Sequence, residues 1–127
     1  EYAARAGSGV GRHYGRPDEL LARYAWFRGN TLLPQPVGRL RPNDLGLFDV
    51  LGNAIEWVAD PLDWYPTDGD EYPDRVAPGA VAGNQNRAAR GGGFNTDADA
   101  LRAACRLGNL PGTAVDTYGV RPARTVP

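Results

Sequence analysis

Glycine and proline constrain this chain more than any other feature. With 17 Gly and 11 Pro among 127 residues, few stretches can propagate as a regular helix, so short elements joined by turns and irregular loops are predicted. A helix bundle is excluded on that ground. The 42% hydrophobic share and the formal charge of -1 are those of one globular domain rather than a solvated tail. No stretch approaches the ~18 apolar residues of a membrane span, because Asp49, Asn53 and Glu56 interrupt the best candidate, residues 45–59.

The residue inventory removes much chemistry. All 14 cations are Arg, and Ser8, His13 and Cys105 are the single Ser, His and Cys of the chain. A Ser-His-Asp triad would need Ser8 and His13, which share a Gly-rich stretch without a nucleophile elbow. Zinc held by Cys and His needs more such ligands, a Walker loop needs a Lys, and a disulfide needs a second Cys. A pI near 5.8, with Arg scattered among carboxylates, provides no basic stripe, and no nucleic-acid partner is expected. Gly7-Ser8-Gly9-Val10-Gly11 lacks the dinucleotide spacing and reads as a turn, and His13 reads as a surface residue beside Tyr14.

Glu1 to Gly7 reads as the end of a helix closed by a Gly cap, which leads to the expectation of a larger polypeptide before Glu1. Pro17 to Ala22 predicts a short helix with acidic residues in its first turn. Residues 47–58 are the densest apolar stretch, divided by the Gly52-Asn53 turn, and are the expected centre of the core. Residues 59–86 form a long acidic loop rich in Pro and Gly, with oligomerisation as one conceivable role. Short strands are predicted over Arg87 to Arg90, Leu101 to Arg106 and Tyr118 to Arg124, with a helix over Asp97 to Leu107 as the rival reading. Trp26-Phe27, Trp57 and Trp64-Tyr65 are assigned to core or loop anchoring ahead of a ligand wall.

Asp49 and Glu56 flank the Gly52-Asn53 turn, and hard carboxylate and carbonyl oxygens in such a mixture suit calcium. From the residues alone two readings stand: a cation site, or Glu56 buried against an Arg with Asp49 capping the turn.

Five stretches then occur in order: Glu1 to Gly7, Pro42-Asn43-Asp44-Leu45-Gly46-Leu47-Phe48-Asp49-Val50-Leu51-Gly52-Asn53-Ala54-Ile55-Glu56-Trp57, Arg90-Gly91-Gly92-Gly93-Phe94, Leu101 to Arg106, and Tyr118-Gly119-Val120-Arg121. Together they resemble the formylglycine-generating enzyme, or sulfatase-modifying factor, family over nearly the whole chain. The resemblance implies an α+β, C-type-lectin-like fold of the formylglycine-generating type, turn-rich with a small antiparallel sheet, of which residues 1–127 are the C-terminal part. It also implies structural calcium, with Asp49, Gly52, Ala54 and Glu56 as counterparts of the family's ligands.

The family's oxidases hold copper on two Cys after the Arg-Gly-Gly motif. Here the matching residues, Asn95 to Leu101, contain no Cys, and hydroxyls and carboxylates do not replace soft thiolates for Cu(I). No copper site is therefore expected, and Cys105 is expected to be a buried, inert thiol. The chain also resembles the variable proteins of diversity-generating retroelements, whose ligand site lies on exposed residues of this segment. Carried over, the candidates are Asn95, Thr96, Asp97, Asp99, Leu107, Gly108, Asn109, Leu110, Thr113, Asp116 and Thr117, with Phe94, Leu101, Arg102 and Arg106 as scaffold. The expectation is a non-catalytic domain that binds a protein or small ligand. The alternative is a sulfatase-modifying enzyme whose catalytic residues lie outside this chain.

Overall fold

The computed structural model describes residues 1–62 and 85–123. Trp64, Tyr65, Arg124 and most of the 59–86 loop lie outside the described residues. No described helix is long and apolar enough to cross a membrane. Most of the described chain is turn and irregular backbone, as the Gly and Pro content predicts. One α-helical turn, α1 (Tyr2–Arg5), ends at Ala6 in the left-handed region with φ 47°, followed by Gly7 at φ 83°. The glycine therefore stands one position beyond the first left-handed residue. The helix predicted after Pro17 is a 3-10 segment, Asp18–Arg23, with Asp18 and Glu19 in its first turn and Leu21 buried.

Four short strands form one sheet: β1 (Ile55–Pro61), β2 (Arg87–Arg90), β3 (Leu107–Asn109) and β4 (Tyr118–Gly119), in the order β3-β2-β1-β4. β2 lies antiparallel to β1, with Glu56 opposite Arg90 and Trp57 opposite Ala89, and β3 lies antiparallel to β2. β4 runs parallel to β1, with Ile55 opposite Tyr118. The sheet is thus mixed, not purely antiparallel as expected. The reason is the connection over residues 110–117, which carries the chain from the β3 edge to the opposite edge, where a same-direction strand completes the sheet. The start of the expected 59–86 loop is also reassigned, since Ala59, Asp60 and Pro61 belong to β1 and Leu62 N donates to Asn86 O at 2.9 Å.

Two strand boundaries move for a physical reason. Leu101 to Arg106 is neither the predicted strand nor the rival helix: only Ala98–Ala100 is helical, as a 3-10 turn. Leu101 is fully buried, and Ala103 N donates to Gly11 O at 2.8 Å, so this stretch pairs with the N-terminal loop instead of the sheet. Pairing of β4 ends at Gly119 because Arg121 turns to Glu56.

The core is Leu21, Ala25, Leu51 and Leu101, with Tyr14, Phe27, Val50 and Ala98 packed against it. The expected central stretch contributes Leu51 and Ile55, but Phe48 is 40% exposed. Arg12, which no sequence pattern singles out, is buried; its Nε donates to Leu101 O at 3.0 Å, its Nη2 to Ala98 O at 2.5 Å, and its Nη1 pairs with Asp18.

His13 corrects the surface assignment: it is 8% exposed, edge-on to both Tyr14 and Tyr24, which stack on each other at 4.6 Å. Neither ring nitrogen has a hydrogen-bond partner among the described residues. Burial lowers the His13 pKa, partly offset by the charge of Asp44, and burial pushes the Tyr14 hydroxyl up to about 12. The unfolded chain therefore takes up a proton below pH ~6.5 that the folded chain resists, so stability is held above that pH and falls as the pH drops through the lowered folded value. Melting temperatures between pH 7.5 and 5 are expected to decline in the native chain, and His13→Phe is expected to flatten that slope.

Candidate functional site

The predicted cation-binding stretch is shaped by one turn. Gly52 (φ 77°) and Asn53 (φ 63°) both occupy the left-handed region, and a Cβ on Gly52 would stand 2.2 Å from Trp26 O. Only glycine fits there. Asn53 is fixed from four sides: its N donates to Trp26 O (2.8 Å), its O accepts from Phe94 N (2.8 Å), and its amide side chain accepts from Gln35 N (2.8 Å) and donates to Gln35 O (3.0 Å). The turn sets Asp49, itself at φ 53°, and Glu56 on either side of one cleft of about 550 Å³.

Asp49, Ala54 and Glu56 line that cleft with Phe48, Val120 and Arg121, whereas Gly52 is buried behind them. Asp49 Oδ2 accepts from Gly38 N at 2.7 Å, while Oδ1 is buried with no hydrogen-bond partner among the described residues. Both Glu56 oxygens accept from Arg121, Oε2 from Nε at 2.8 Å and Oε1 from Nη2 at 2.6 Å. The same Nη2 reaches the carbonyls of Phe48 (3.0 Å) and Asp49 (3.1 Å). These bonds to Glu56, with the charges of Glu56 and Asp49, raise the Arg121 pKa against the opposing effect of burial.

Among the described residues no group of three or more His, Cys, Asp and Glu converges on a point, so a metal here would draw on two carboxylates and on backbone carbonyls. An orphaned carboxylate oxygen suits a hard cation. In the sequence Arg121 is the end of a motif with no partner assigned; the pairing of β4 beside β1 brings it to Glu56.

The C-terminal candidates divide by exposure. Asn95, Asp97, Asp99, Leu107, Gly108, Leu110 and Asp116 are exposed, and Thr96, Asn109, Thr113 and Thr117 are half-buried. They lie in three places. Residues 95–99 follow the Gly91-Gly92-Gly93 turn, where Asp97 meets Arg28 at 3.0 Å. Leu107, Gly108 and Asn109 form the edge strand β3, and Asn109 Oδ1 accepts from Thr113 Oγ1 at 3.0 Å. Asp116 and Thr117 lead into β4, and Thr117 O accepts from Ile55 N at 2.8 Å.

Of the expected scaffold, Phe94 and Leu101 are buried, but Arg102 is exposed, its stem packed over Gly11 with Cγ at 3.4 Å from the position of a Cβ. Cys105 is a free thiol, half-buried in the turn before β3 and not in a strand. The expected buried position is corrected to a half-buried one, because the residue lies outside the sheet, whose strand β3 begins only at Leu107.

Comparison with protein families matches residues 1–126 to the sulfatase-modifying factor enzyme 1-like domain. The chain belongs to this family. It is 38% identical over 87 residues to the serine/threonine-protein kinase pkn1 of Chlamydia pneumoniae, covering 67% of this chain and 14% of that one. Identity to the formylglycine-generating enzyme of Streptomyces coelicolor is 35% over 143 aligned positions, covering 97% and 43%. Treponema denticola variable protein 1 shares the fold with a TM-score of 0.81 and 30% identity, over 94% of this chain and 42% of that one. This sulfatase-modifying-factor-type chain thus spans less than half the length of each of these relatives.

Exposure predicts where the family scaffold tolerates change. Single Ala substitutions at Asn95, Asp99, Leu107 or Asp116 are expected to shift unfolding free energy by no more than about 0.5 kcal/mol. Leu101→Ala, in the core, is expected to cost about 2–5 kcal/mol. Urea unfolding of the five variants measures both.

Proposed function

We propose that this chain is a non-catalytic binding domain with a C-type-lectin-like fold of the formylglycine-generating type, presenting a protein or small ligand with the surface of residues 95–117. The observation that carries this reading is the exposure of polar side chains on backbone that the buried Phe94 and Leu101 fix in place. Such a surface offers adaptable hydrogen bonding at little cost to the fold. Similarity to the Treponema variable protein supports the reading, and similarity to formylglycine-generating enzymes supports the second one, an enzyme completed by residues outside this chain. Against the second reading, the chain's single Cys cannot supply a thiolate pair.

Sequencing the codons for residues 90–124 across many cells of the source population separates a diversified surface from a fixed one. Variation concentrated at the exposed positions from Asn95 to Thr117, with Phe94 and Leu101 constant, is the outcome expected of a diversified receptor. A uniform segment would leave a fixed binding or modifying domain.

The same reading includes a structural calcium ion held by Asp49 and Glu56 with the carbonyls of Gly52 and Ala54, and the orphaned Asp49 Oδ1 supports it. A ligand that binds only the native state stabilises it by mass action. Millimolar calcium is expected to raise the melting temperature above that in chelator, and Glu56→Ala to remove the difference. Identical melts in both conditions would rule the ion out.

A further inference from the structure

Both carboxylate oxygens of Glu56 already accept from Arg121, and the same guanidinium reaches the Phe48 and Asp49 carbonyls. Asp49 lines the same cleft, and its buried Oδ1 has no donor among the described residues. A guanidinium set among a carboxylate and carbonyl oxygens occupies the kind of position a hard cation would take. We propose that Arg121 is a built-in competitor of calcium at this site, so that the ion binds by drawing Glu56 away from the guanidinium.

This inference rests on the calcium reading above and concerns what sets the affinity. Two effects act in the same direction. A positive charge in contact with Glu56 weakens the local attraction for a second cation. In addition, the two charge-assisted hydrogen bonds to Glu56 must be exchanged for metal coordination. Asp49 Oδ1 gains a partner on binding, which supplies part of the compensation. Removing the guanidinium while keeping a polar side chain leaves both carboxylates available.

Calcium chloride titrated calorimetrically into the full chain tests this, using the native protein, Arg121→Gln and Arg121→Lys. Arg121→Gln is expected to bind calcium at least about tenfold more tightly than the native chain, with Arg121→Lys in between, because an ammonium cannot span both oxygens. In the native chain the Arg121 Nε–H NMR signal is expected to lose its exchange protection as calcium is added. Equal or weaker binding in both variants, with the Nε–H signal unmoved in the native chain, would show that Arg121 positions Glu56 for the ion and would overturn the competition. Heat-silent titrations in all three proteins, whose folding is checked by their melts, would instead overturn the calcium reading itself. Arg121→Lys keeps the test decisive if Arg121→Gln fails to fold.

Discussion

Asn53 is the residue through which the separate loops of this domain are joined. Its backbone meets Trp26 and Phe94, its side chain reproduces a strand-like pairing with both polar groups of Gln35, and the neighbouring Gly52 N donates to Gly91 O at 2.8 Å. Four stretches of chain with little regular structure are thereby held at one point. Each bond needs Asn53 in the left-handed region, where Asn is tolerated better than most residues. Gly52 must also lie against Trp26, too close for any side chain. The Asp49–Glu56 cleft and the Gly91-Gly92-Gly93 turn both take their positions from this junction.

The composition has a structural counterpart in the way arginines are used. A turn-rich chain leaves many carbonyls outside any ladder, and each buried one needs a donor. Arg12 supplies donors to Leu101 and Ala98, Arg90 to Ala103 and Cys105, and Arg121 to Phe48 and Asp49. In each case one planar group with five donors bonds carbonyls far away in sequence, and all three also hold a carboxylate, Arg12 that of Asp18, Arg90 that of Glu1 at 3.1 Å and Arg121 that of Glu56. A Lys ammonium offers three donors at a single point and cannot span such pairs. A chain in which every cation is Arg suits this type of architecture.

What could be read from sequence was local. The turn at Gly52-Asn53, a short helical segment after Pro17 and the strand Arg87–Arg90 follow from residue types and their near neighbours, whereas the scaffold role of the buried Phe94 and Leu101 is implied by the resemblance. What could not be read depends on partners distant in sequence. Tyr118–Gly119 has nothing in its two residues to say that its neighbour is β1 or that it runs parallel to it. Leu101 to Arg106 has strand-like alternation, yet its partner is Gly11, so it leaves the sheet. The sequence reads His13 as a surface residue because a single residue beside one Tyr in a Gly-rich loop carries no period, and its contact with the distant Tyr24 is made only in the fold. At the candidate site, Asp49 and Glu56 were legible as a pair, whereas the Arg facing Glu56 was a type without a number.

The frame also discriminates among the surface candidates. Backbone bonds from Phe94 N to Asn53 O, Thr96 N to Gly93 O and Arg28 N to Thr96 O hold residues 94–96, and Arg12 holds the Ala98 carbonyl. None of these depends on the side chains of Asn95, Asp97 or Asp99, so those can change without altering the loop. Thr96 and Asn109 are different. Thr96 Oγ1 accepts from Gly93 N at 2.9 Å, and Asn109 Oδ1 accepts from both Leu110 N and Thr113 Oγ1 at 3.0 Å. Their side chains shape the loops that display the others, which makes them part of the support as much as of the surface. A ligand surface of the kind proposed would therefore have a free set, Asn95, Asp99, Leu107 and Asp116, with Asp97 tied only to Arg28 at the surface, and a constrained set, Thr96, Asn109 and Thr113, in which any replacement must also restore the lost acceptor or donor.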